Sequence, residues 1–133
     1  MMLDQETWFK AVSDGDEKTL SEALAAGFDV NTRDEKLNTA LHHATKAGDL
    51  HIMRLLISAG AELDVQNDYD STALHLTAKN MDSIRILLEA GADPNIKDKD
   101  YDYPYYFAFY GSMPRELTEL YIKHGANLML FDK

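Results

Sequence analysis

Cysteine is absent from the 133 residues, so the chain holds no disulfide framework, no thiolate metal site and no thiol nucleophile. Cations are scarce: 13 Lys and Arg stand against 23 Asp and Glu, a formal charge of −10. Such a surface repels phosphate backbones and anionic headgroups, which argues against nucleic acid and membranes as partners and for a basic protein. Acidity also serves plain solubility. Long apolar runs are missing, since no stretch approaches about 18 consecutive apolar residues and nothing reads as a membrane span. The opening MMLDQETWFK lacks the basic and apolar regions of a secretory signal, so the expectation is a soluble, cytoplasmic protein. Absent too are G-x-S-x-G, H-E-x-x-H and a phosphate-binding glycine loop. No catalytic, cofactor-binding or metal-binding residue is assigned, and an enzyme is not expected.

What is present is an internal repeat. NTALHHATKAGDLHIMRLLISAGAELDVQN from Asn38 aligns with STALHLTAKNMDSIRILLEAGADPNIK from Ser71, and both carry T-A-L-H, an apolar run and Gly-Ala. Glycines after the apolar runs fall at Gly27, Gly60, Gly91 and Gly125. Four units follow, at about 1–33, 34–66, 67–97 and 98–133, the first and last degenerate. Each reads as two short helices and a loop. Asp4 and Thr39 are cap residues opening first helices, Gly48-Asp49 breaks and restarts the chain, and Gly60 can adopt a left-handed backbone. Pro114 suits the first turn of a helix. One helix pair cannot bury its apolar face alone, whereas stacked pairs share a continuous core. Small residues at equivalent places (Ala11, Ala44, Thr77, Ala108) let the helices approach.

These residues resemble the ankyrin repeat, whose pattern runs T-P-L-H-x-A-A, G-H, I-V-x-L-L-L and G-A-D-V-N. The chain shows TALHHAT, Gly48-Asp49, the run from Ile52 to Ile57, and GAELDV, with GFDVN from Gly27 and GADPN from Gly91. The resemblance implies an all-α solenoid of stacked helix-turn-helix units with hairpin-like loops, and a protein-binding role. It departs from the pattern in four places, one of them a fourth unit that is one residue longer around Gly111 to Pro114. The turn glycine before T-P-L-H is replaced by Leu37, Asp70 and Tyr101, which predicts less regular tips. The third unit is two residues short between its helices, around Lys79 and Asn80. The closing Leu128 to Phe131 has no following unit to cover it.

The resemblance also assigns His42 and His75 to backbone hydrogen bonding between adjacent units. A zinc site is disfavoured, because stacked helices lie about 8–10 Å apart and no third ligand is evident. Asp98, Asp100 and Asp102 mimic the start of a calcium loop, but Tyr103 and Phe109 occupy the places that need glycine and glutamate. Binding in ankyrin-like proteins uses the hairpin tips and the exposed side of the first helices. Carried over, that role falls on Glu35 and Asn38 of the first tip, Asp68, Tyr69 and Asp70 of the second, Asp100, Tyr101 and Asp102 of the third, and the helix positions His43, Lys79 and Tyr110. The second and third tips interleave carboxylates with tyrosine, a side chain enriched at interface hot spots. Tyr105 is expected in the core. Two roles stay open: an acidic inhibitor of the immunity or antitoxin kind, covering a basic toxin or nuclease, and a non-inhibitory adaptor. The free chain is expected to be a monomer.

Overall fold

The computed structural model describes residues 4–78, 80–106 and 114–127. Every regular element among them is helical: α1 (Gln5–Asp14), α2 (Glu17–Ala25), α3 (Ala40–Ala47), α4 (Leu50–Ser58), a 3-10 helix (Ala73–Thr77), α5 (Met81–Ala90) and α6 (Arg115–Lys123). The first helices form one layer, with α1 on α3 and α3 on the 3-10 helix. The second helices form another, with α2 on α4, α4 on α5 and α5 on α6.

Local chemistry starts and stops each helix. Asp4 and Thr39 accept the backbone N–H groups of Thr7 and His42, and Asp16, Asp49 and Asn80 cap the second helices in the same way. Gly48 ends α3 in a left-handed conformation (φ 71°) and sends its N–H back to Ala44 and Thr45. A Cβ there would also meet the Asn80 side chain at 3.3 Å. Pro114 is the cap residue itself, one place ahead of the expected first-turn position.

The core runs between the two layers. Trp8, Leu20, Leu41, Ile52, Met53, Leu56, Leu74, Ile84, Leu87, Leu88, Tyr105 and Tyr121 are all fully buried. In α4 the buried Ile52, Met53 and Leu56 form one stripe, and α5 repeats it with Ser83, Ile84, Leu87 and Leu88. Ala11, Ala44 and Thr77 are buried where the layers meet, while Ala108 and the closing apolar residues lie outside the described positions. Tyr105 is wholly buried and stacks on Tyr103, ring centroids 5.4 Å apart.

The third unit does not lose its missing residues between the helices, as expected, but in its first helix, where five residues of 3-10 helix replace the eight of α3. A 3-10 helix rises about 2.0 Å per residue against 1.5 Å for an α-helix, so fewer residues cover nearly the same length. Ala78 then turns the chain with φ 51° and ψ −126°.

Candidate protein-binding surface

Each tip is built by one side chain. Asp34 Oδ1 accepts the N–H groups of Lys36 and Asn38, Asn67 Oδ1 those of Tyr69 and Ser71, and Asp98 Oδ1 those of Asp100 and Asp102. Leu37, Asp70 and Tyr101 take φ of 64°, 56° and 64° in the place of the turn glycine. The tips are therefore regular, contrary to the expectation from the missing glycines. Two Asx hydrogen bonds per turn hold the backbone where a Cβ alone would disfavour it.

Successive tips are also tied together. The Asp68 N–H donates to Lys36 and the Lys99 N–H to Tyr69, at 3.0 and 3.1 Å. Arg33 reaches the carbonyls of Leu37 and Gln66, and Gln66 likewise reaches those of Asp70 and Lys97. His42 accepts the Thr39 N–H at Nδ1 and donates from Nε2 to the Ser71 carbonyl at 2.9 Å; His75 does the same with Thr72 and Asp102. Burial holds both imidazoles below their usual range. A ladder invisible to the sequence reading joins the outer loops, where Asn31, Asp64 and Asn95 accept the N–H groups of Glu62, Asp93 and Asn127.

Glu35, Asp68, Asp70, Asp100 and Tyr101 are exposed at the tips, as is Tyr69. Tyr101 keeps 78% of its surface and Tyr69 45%, so two large aromatic surfaces face solvent on neighbouring tips. The Tyr69 hydroxyl donates to the Asp100 carboxylate, which pushes the phenol up to about 12. Lys97 lies over the Tyr101 and Tyr103 rings, 6.0 and 5.6 Å from their centroids. Carboxylate oxygens of Asp98, Asp100 and Asp102 come within 4.8 Å of one another. Burial first, then the charges of Asp98 and Asp100, raise the Asp102 carboxyl. Asn38 is partly buried, its Oδ1 accepting from Asn67 Nδ2 at 2.8 Å, so it braces two tips. Lys79 and Tyr110 lie outside the described residues.

His43 faces the first tip, its Nε2 2.7 Å from Asp34 Oδ2 and its ring edge-on to Phe9. Burial pushes the Asp34 carboxyl up, but hydrogen bonds from His43, Asn38 and Lys36 outweigh it and hold the group below the usual carboxylate range. A groove of about 530 Å³ opens here, lined by Gln5, Glu6, Phe9, Asp34, Glu35 and His43. The sequence reading named Glu35 and His43 but missed the other four. The spacing of Gln5, Glu6 and Phe9 puts them near one another on a helix, but only packing shows that they face the first tip.

A family model for ankyrin repeats (three copies) matches residues 8–98, and the chain belongs to the ankyrin repeat family. It is a protein–protein interaction module. It is 32% identical over 132 residues to an ankyrin repeat-containing protein of Treponema pallidum, covering 97% of this chain and 44% of that protein. It is likewise 32% identical over 113 residues to human inversin (82% of this chain, 10% of inversin). A Drosophila melanogaster palmitoyltransferase matches at 32% over 94 residues (68% of this chain, 15% of the enzyme). The chain thus spans less than half the length of these relatives. No helix among the described residues is long and apolar enough to cross a membrane.

Proposed function

We propose that the chain binds a basic protein through its second and third tips and blocks that partner, as an immunity or antitoxin protein blocks a toxin or nuclease. The observation that carries the reading is the pair of exposed tyrosines, Tyr69 and Tyr101, set among Asp68, Asp70, Asp100 and Asp102 on two tips joined by a backbone hydrogen bond. Tyrosine offers broad contact area at low entropy cost, and carboxylates beside it steer in and pair with Arg or Lys. A charge of −10 supports the same partner chemistry. The free chain is read as a cytoplasmic monomer of four units without a catalytic role. An adaptor that holds its partner without blocking it is the second reading, favoured by the matches to segments of longer proteins.

Affinity capture with the purified chain, followed by mass spectrometry, identifies the partner. Replacing Asp68, Asp70, Asp100 and Asp102 by Lys is expected to weaken its binding by at least about tenfold while the helical circular dichroism persists. Undiminished affinity would place the interface elsewhere. An assay of the partner's own activity in the complex separates the two readings, since inhibition requires that activity to fall.

A further inference from the structure

The groove between α1, the first tip and α3 stands apart from the tyrosine-bearing tips. Its acidic side chains differ in what they already do. Asp34 is fully engaged, with one oxygen on two backbone N–H groups and the other on His43. Glu6 and Glu35 are exposed, and neither forms an ion pair among the described residues. Of the cations around the groove, Arg33 is turned away along the tips by its bonds to the Leu37 and Gln66 carbonyls, Lys10 is paired with Asp14 at 2.9 Å, and Lys36 beside Glu35 is exposed and forms no ion pair among the described residues. Gln5 ties α1 to the tip through the Arg33 carbonyl at 3.0 Å, which fixes the two walls relative to each other. Phe9 contributes an aromatic ring, held edge-on by His43. The groove therefore combines two uncommitted carboxylates, a ring and a braced frame.

We infer that this groove is an anchor site for an arginine side chain of the partner protein. The assignment rests on the protein-binding reading and deepens it. Charge complementarity favours a cation. The planar guanidinium is the better fit, because it can lie against the Phe9 ring while its N–H groups reach Glu6 and Glu35, whereas an ammonium is a strongly hydrated point charge. The binding face then extends from the first tip to the third, with an arginine anchor at one end and a tyrosine–carboxylate patch at the other.

The test uses backbone amide NMR of the whole chain with three probes: blocked arginine (N-acetyl-arginine N-methylamide), blocked citrulline and blocked lysine. Arginine is expected to shift the amides of Glu6, Phe9, Glu35 and His43 with a millimolar Kd. Citrulline, the neutral isostere, should leave them in place, and lysine should bind more weakly. The double variant Glu6→Gln, Glu35→Gln, both at exposed positions, should weaken the arginine response about tenfold. Shifts confined to the third tip, an equal response to citrulline or lysine, or an unchanged response in the variant would each overturn the assignment. A captured partner that binds the double variant with wild-type affinity also overturns it while leaving protein binding intact. If no protein binds the wild-type chain, the proposed function fails instead, and the NMR response alone judges the groove.

Discussion

A histidine with both ring nitrogens engaged cannot accept a second proton without losing a hydrogen bond. In His42 and His75, Nε2–H donates to a carbonyl of the next tip and Nδ1 accepts the N–H of the capping threonine. Protonation at Nδ1 would set proton against proton at that cap. For His75, burial lowers the pKa while the Asp102 carbonyl and the charges of Asp98 and Asp102 work against it, and burial prevails. The folded chain therefore resists a proton that the unfolded chain accepts near 6.5. Stability from this group is complete above that pH and is lost as pH falls through the unfolded value toward the folded one. The urea midpoint of His75→Gln should accordingly decline less between about pH 7.5 and 5.5 than that of the wild type. Comparing the two proteins cancels the relief of acidic self-repulsion, which they share. Parallel declines would show that His75 is not held neutral by the fold.

At the scale of the element, the third unit shows how a deletion is absorbed. The missing residues were visible by alignment, which set them between the helices, whereas the structure takes them from the first helix. Ile84, Leu87 and Leu88 are locked between α4 and α6, and Asn80 caps α5 through Ser83, so the second helix cannot give way. The first helix tightens to a 3-10 turn instead. Ala78 joins the two with φ 51° and ψ −126°, a backbone conformation that glycine accepts and alanine resists. Ala78→Gly is expected to stabilise the chain by about 1 kcal/mol, read as a rise in the urea midpoint at unchanged slope. A fall would mean that the Ala78 methyl makes contacts worth more than the strain. The tips teach the converse lesson. Leu37, Asp70 and Tyr101 suggested irregular turns, yet Asp34, Asn67 and Asp98 each supply two side-chain hydrogen bonds that impose the same geometry.

For the whole molecule, charge and shape act together. The formal charge of −10 projects well beyond the exposed carboxylates at low salt, but the Debye length shrinks to about 8 Å at physiological ionic strength. The association rate with a basic partner should therefore fall about tenfold from low to physiological salt, while the dissociation rate changes little. Stopped-flow mixing at several salt concentrations measures this directly. A rate that hardly moves would remove electrostatic steering from the proposed function and leave the acidity as a solubility device.

The repeat phase, the helix caps and the core stripe were determined by sequence alone, because each depends on residues within one or two turns of one another. Thr39 with His42, Asp49 with Ile52, and the apolar run of α4 are local patterns with local physics. The tertiary structure alone decided which polar side chains remain available to a partner. Asn38 read as a partner-binding tip residue but is taken up by Asn67, 29 positions away, and Arg33 and Gln66 on the same tips are bonded to groups 33 and 31 positions away in the neighbouring unit. Glu6 and Phe9 drew no assignment from the sequence, and stacking sets them opposite the first tip. One unit's side chains are satisfied by the backbone of the next, so whether a group is committed or free emerges only when the units are stacked.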